Sequence, residues 1–153
     1  MHVSLRATRI VPGLMSRDPR TIVEQFIDGL DGETRRLAFA EWGITVDAAG
    51  WPLHVGIAIR DGLFRAQAHV IEAGRIDPHD LLRWNRQVPF VSFAHTRDGE
   101  VWIQGELPLS AIDPPQLDAF LGLLVLTVVQ ARQAAGRREE DEQTTAAEPG
   151  ADG

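Results

Sequence analysis

Apolar residues recur at helical spacing near the start of the chain: Ile22, Val23, Phe26, Ile27 and Leu30 fall on one face, which predicts a helix from Asp18-Pro19 to about Leu30. From Ala40 the period changes to two. Ala40, Trp42, Ile44 and Val46, then Leu53, Val55, Ile57 and Ile59, then Phe64, Ala66, Ala68 and Val70 predict a three-stranded meander. Asp61-Gly62 suits a two-residue type I′ turn that pairs Ile59 with Phe64, and Asp47-Ala48-Ala49-Gly50 suits a four-residue loop. A second helix covers roughly Pro78 to Val88 and stops at Pro89. The hairpin Pro89 to Leu109 is expected to turn through Arg97-Asp98-Gly99, with Gly99 left-handed. A two-residue turn would set Phe93 against Gln104 and mix the faces; the three-residue turn keeps Val91 and Phe93 with Val101 and Ile103. A third helix runs from Pro114 to about Ala135.

Asp-Pro opens each predicted helix, at Asp18-Pro19, Asp77-Pro78 and Asp113-Pro114. The carboxylate accepts the free amides of the first turn, and proline loses no hydrogen bond at the first helical position. The order is therefore αβββαββα: an α+β fold with an antiparallel five-stranded sheet and helices on its apolar face. Three segments follow: an arm over 1–15, a domain over 16–135, and a disordered acidic tail over 136–153.

Composition narrows the chemistry. The chain of 153 residues has no Cys, no Lys and no Tyr, which removes thiolate nucleophiles, a Schiff base and the lysine of a phosphate-binding loop. Ser92 and His95 share a strand but point to opposite faces, so no local triad exists. No catalytic residue, cofactor or metal is expected. Net charge is −7, of which −4 lies after Gly136, and the nearly neutral remainder has no general attraction for nucleic acid. The first fifteen residues lack a signal-peptide core, and the longest apolar run is about half a bilayer span. A soluble cytoplasmic protein without membrane association is expected.

The run Asp-Pro-His-Asp-Leu-Leu-Arg-Trp-Asn-Arg-Gln at 77–87, then a hairpin with Asp98-Gly99, then Leu107-Pro108-Leu109 before the last helix, resembles the YbjN family. That family is similar in fold to the small chaperones of type III secretion. The resemblance spans roughly residues 20 to 135 and implies the αβββαββα fold, dimerisation and binding of another polypeptide. It transfers no catalytic residue. Asn85 matches the family's central-helix asparagine, for which a side-chain cap or turn role suffices.

Two surfaces are candidates for binding. On the third helix, Leu117, Phe120, Leu121, Leu124, Val128 and Ala131 form the stripe that packs on the sheet. Behind them Ala119, Gly122, Leu123, Leu126 and Val129 form a second stripe. Leaving its three large side chains in water would forgo roughly 1.5 to 3 kcal/mol each. A partner helix in a homodimer would cover them; the alternative cover is the arm (Val3, Leu5, Ile10, Val11, Leu14, Met15) folding back. The sheet's outer face holds Gly43, Gly56 and Ala58, bordered by Arg60, Arg65, Gln67 and Trp102. It is either a seat for an extended segment of an unidentified client protein or an ordinary sheet face. The same register sets His54 opposite His69 with Thr45 flanking, which is either a polar cross-strand contact or the centre of a small-ligand or metal-dependent activity. The tail is either a solubilising terminus or a competitor for basic surfaces.

Overall fold

The computed structural model describes residues 18–147. Helix α1 (Pro19–Asp28) leads into strands β1 (Glu33–Ala38), β2 (Glu41–Ala48), β3 (Trp51–Arg60) and β4 (Leu63–Ile71). Helix α2 (Pro78–Asn85), strands β5 (Val91–His95) and β6 (Val101–Pro108), a short 3-10 turn at Leu109–Ala111 and helix α3 (Pro114–Ala147) complete the order. The sheet is antiparallel with six strands in the order β1-β2-β3-β4-β6-β5. The five-strand expectation is thereby corrected. β1 adds an edge strand whose residues are almost all exposed, so it carries no alternation of apolar and polar positions. Ala40, expected at the start of a strand, is instead a turn residue at φ 55°, with Ala38 paired to Glu41 across the turn.

All three Asp caps form: Asp18 accepts from the Arg20 amide at 3.2 Å, Asp77 from His79 at 2.9 Å and Asp113 from Gln116 at 2.8 Å. The β3–β4 turn has Asp61 and Gly62 both at positive φ, with Ile59 opposite Phe64, as a type I′ turn requires. In the β5–β6 hairpin the Thr96 amide donates to Glu100 O, Gly99 has φ 88°, and Phe93 faces Ile103: the three-residue turn. The β2–β3 loop is shorter than expected. Ala48 pairs with Trp51, and only Ala49 and Gly50, both left-handed, form the tip.

The core lies between the apolar sheet face and α1 and α3. Val23, Phe26 and Ile27 of α1 are buried, and the α3 stripe Leu117, Phe120, Leu121, Leu124, Val128 and Ala131 is almost wholly inaccessible. Phe120 meets Phe64 edge-on at 5.7 Å. Gly105 makes room for it, since a Cβ there would lie 2.7 Å from both Phe120 Cζ and the Phe90 carbonyl oxygen. An 18-residue window of α3 has mean hydropathy 1.4, enough by length and composition to cross a membrane, and 56% of it is buried inside the fold.

Beyond Ala135 the helix continues to Ala147, which corrects the disordered-tail expectation over 136–147. The charged run there supports helix: Arg138 pairs with Glu142 one turn on at 3.1 Å, and Glu139 pairs with Arg75 below the sheet end. Residues 1–17 and 148–153, including the expected arm and the tip of the tail, lie outside the described residues.

Candidate functional site: the outer sheet face

With α1 and α3 on one side, the opposite face of the sheet is bare. Its rows can be read from the register. One row is Arg35, Gly43, Gly56, Gln67, Gln104 and Ser92; the next is Glu41, Ala58, Arg65 and Glu106. Gly56, Gln67 and Gln104 of the first row and all four residues of the second, together with Leu37 and Arg60, line a groove of about 370 Å³. Gly56 and Ala58 are half-buried at its floor. Leu37, 55% exposed, is an aliphatic wall.

Charges line the rim in pairs. Arg60 reaches Glu41 at 3.1 Å, and Arg65 lies 3.2 Å from Glu106 and 3.8 Å from Asp61. Arg65 Nε is buried and lacks hydrogen-bond geometry toward any acceptor among the described residues. Arg60, Arg65 and Gln67, expected on sequence grounds, thus share one groove. Trp102 does not join them. It sits one row further along, opposite His69 and Ala94, with its ring 5.6 Å from the His69 imidazole in edge contact. Two positions along β6 from Gln104, it borders the face without lining the groove.

His54 and His69 take separate partners. His54 Nδ1 lies 2.9 Å from Thr45 Oγ1, and His69 Nε2 lies 2.7 Å from Glu100 Oε2. Among the described residues no group of three or more His, Asp or Glu side chains is placed to hold a metal ion.

The rear stripe of α3 is less open than its sequence implies. Ala119 is exposed, Gly122 is buried, and Leu123, Leu126 and Val129 are half-buried, with Leu123 and Val129 packed against the core. The most exposed large apolar side chains are elsewhere: Phe39 on the β1–β2 turn, Phe90 and Leu82 around α2, and Leu37. Sequence pattern missed Phe39, Phe90 and Leu37 because isolated apolar residues in turns and edge strands carry no period, and Leu82 because it lies on the outer side of the short α2, beside the buried Leu81.

Two positioning residues stand out. Arg132 projects from α3 into the core side, where its guanidinium donates to the carbonyl oxygens of Val70 (2.9 Å), Ala48 (3.0 Å), Trp51 (3.1 Å) and Pro52 (3.3 Å) and stacks on the Trp51 ring at 3.3 Å. Burial lowers its pKa from the ordinary arginine value, opposed by the nearby Asp47. Asn85, at the end of α2, accepts from the Phe93 amide at 2.7 Å and donates to the Phe93 oxygen at 3.0 Å. It imitates a neighbouring strand. This double bond to β5 replaces the cap or turn role expected for it and ends α2 at Asn85 instead of near Val88.

The family model described as "Putative bacterial sensory transduction regulator", YbjN, matches residues 61–137, half of the chain. The chain belongs to the YbjN family. Among solved structures it is similar to the type III secretion chaperone SycH of Yersinia pestis, crystallised in complex with a stable fragment of YscM2. That likeness has 23% identity, a TM-score of 0.52, and covers 73% of this chain and 98% of the other. It establishes a secretion-chaperone-like α+β fold. No curated protein matches. In this YbjN chain the family match begins at the β3–β4 turn, so β4 and β6 bring Arg65, Gln67, Gln104 and Glu106 from inside it, while β3 supplies Gly56, Ala58 and Arg60 from outside.

Proposed function

We propose that this protein is a non-catalytic, chaperone-like or regulatory module, cytoplasmic, that acts as a homodimer and engages another polypeptide through the outer sheet face. The observation that carries this reading is the bare face itself: a six-stranded sheet covered on one side only, with a groove of small residues, two arginines and free amides on the other. Family membership and a fold shared with a chaperone that was crystallised on a polypeptide fragment support it. No step of chemistry is needed; burial of a client segment and satisfaction of its polar groups suffice.

In the homodimer the rear stripe of α3 meets its symmetry mate, with the half-buried Leu123, Leu126 and Val129 giving up their remaining exposure and the small Ala119 and Gly122 permitting close approach. Light scattering tests this directly. The wild type is expected at twice the 16.9 kDa chain mass, and Leu126→Glu at one chain mass with its circular dichroism retained. A wild type of single-chain mass refutes the dimer while leaving client binding to be judged by titration. The His54 and His69 alternative gains no support, because each imidazole already has another partner.

A further inference from the structure

Gly56 poses a question that the fold alone does not answer. It lies in the middle of β3, paired with Gly43 on one side and Gln67 on the other, with an ordinary extended backbone. Glycine in a strand interior is destabilising relative to alanine and marks places where another backbone or a ligand approaches closely. A Cβ on Gly56 would meet only the Gln67 oxygen at 3.8 Å and Gln67 Cγ at 4.0 Å, which is ordinary contact. Compare Gly105, where Phe120 and Phe90 leave no room. Its cross-strand neighbour Gly43 also has room, since a Cβ there would meet Leu37 Cδ1 at 3.6 Å and the Arg35 guanidinium at 3.8 Å, ordinary contacts with side chains. Nothing inside the described chain needs Gly56 to be a glycine.

The groups around it favour acceptors. The side-chain amides of Gln67 and Gln104, paired across β4 and β6, make no hydrogen bond within the described residues, so their N–H groups can donate to an incoming acceptor. Arg35, over the neighbouring Gly43, forms no ion pair there, whereas the acids of the rim, Glu41 and Glu106, face Arg60 and Arg65. The charges lining the groove, Glu41, Glu106, Arg60 and Arg65, thus pair off, and Arg35, just beyond the lining, adds a positive charge with no ion-pair partner among the described residues. Beside it the Leu37 side chain is a bare aliphatic wall, and the cavity, near the lower end of the range for ligand sites, admits one large side chain.

Resting on the protein-binding reading above, we propose that this groove takes an extended client segment carrying an aromatic residue next to an acidic one. The ring lies flat on the Gly56–Ala58 floor against Leu37, as an aromatic neighbour covers a strand glycine within a sheet. The carboxylate pairs with Arg35, and the segment's carbonyls accept from Gln67 and Gln104. A flat ring gives large contact at little conformational cost, which suits it as the anchor.

The test uses the full chain and a random dodecapeptide library displayed on phage. Peptides selected on the wild type are expected to carry Phe, Tyr or Trp adjacent to Asp or Glu. Their binding is expected to fall at least tenfold in Gly56→Val, where the floor is filled, and severalfold in Arg35→Ala. Thermal melting of Gly56→Ala and Gly56→Val in the absence of peptide supplies the second arm: Tm should be unchanged or raised. A marked fall in Tm for Gly56→Ala shows that the fold requires the glycine and overturns the proposal alone. Selected peptides without an aromatic consensus, or binding that Gly56→Val leaves within twofold, overturn it too but leave protein binding intact. Failure to recover any binding peptide overturns both readings.

Discussion

Arg132 shows how one charged side chain can hold two layers together. Its guanidinium spreads over four carbonyl oxygens from β2, β3 and β4 and lies on Trp51, so the planar fork matches several acceptors at once in a way that an ammonium does not. Arg132→Ala is expected to lower unfolding free energy by about 2 to 4 kcal/mol, since buried carbonyls lose their donor and a cavity opens. Urea denaturation measures it. Arg132→Lys should recover only a minor part of that loss. The sequence did contain a signal: four residues after Val128, Arg132 falls on the stripe that also carries Leu121, Leu124 and Ala135, the face that had to be buried. A cation there implied a set of carbonyls waiting for it, but which ones depends on a chain reversal some eighty residues away. Periodicity cannot supply that.

At the scale of elements, local chemistry was the most legible part. The three Asp-Pro caps, the Asp61-Gly62 turn and the Gly99 hairpin all follow from short-range sterics and hydrogen bonding, and all form. β1 escaped because an edge strand exposed on both sides has no reason to alternate, and the charged run after Gly136 looked like a solvated tail although its spacing of opposite charges supports helix. Asn85 was noticeable only through family resemblance; its function as a substitute strand for β5 requires the fold. Asn85→Ala removes both bonds to Phe93 and should cost about 1 to 3 kcal/mol. Hydrogen exchange at the Phe93 amide reports it, with protection expected to drop far more there than at Ile103. Asp77, which caps α2, has its pKa lowered, chiefly because it accepts from the His79 backbone amide, with the His79 side chain adding to this. Its contribution is therefore present above the ordinary aspartate value of about 3.9 and is lost as pH falls through the lower folded value. Melting temperature against pH should accordingly decline less steeply in acid for Asp77→Ala than for the wild type, from a lower starting point at neutral pH.

For the molecule as a whole, layering governs what is possible: both α1 and α3 cover one face, and the other is left bare. Arg60, Arg65 and Gln67 can be placed on one face from alternation alone, whereas Trp102, expected beside them, stands a row away from their groove, because alternation fixes the face but not the position along it. The α3 extension past Ala135 is anchored by the pairing of Glu139 with Arg75, and almost every described residue beyond Gly136 is exposed. A chain truncated after Gly136 should thus keep its fold, with Tm lowered by a few degrees at most; calorimetry of the truncated and full chains checks this.

The clasp of Asn85 on β5 has a further consequence at high concentration. Sheets lengthen by recruiting strands at their margins, and here one margin is already occupied by a side-chain amide that mimics a strand, while β1 at the other is open. Two molecules joined margin to margin through β1 would present only clasped sheet ends, so the sheet itself extends no further than that pair, whatever contacts α3 makes.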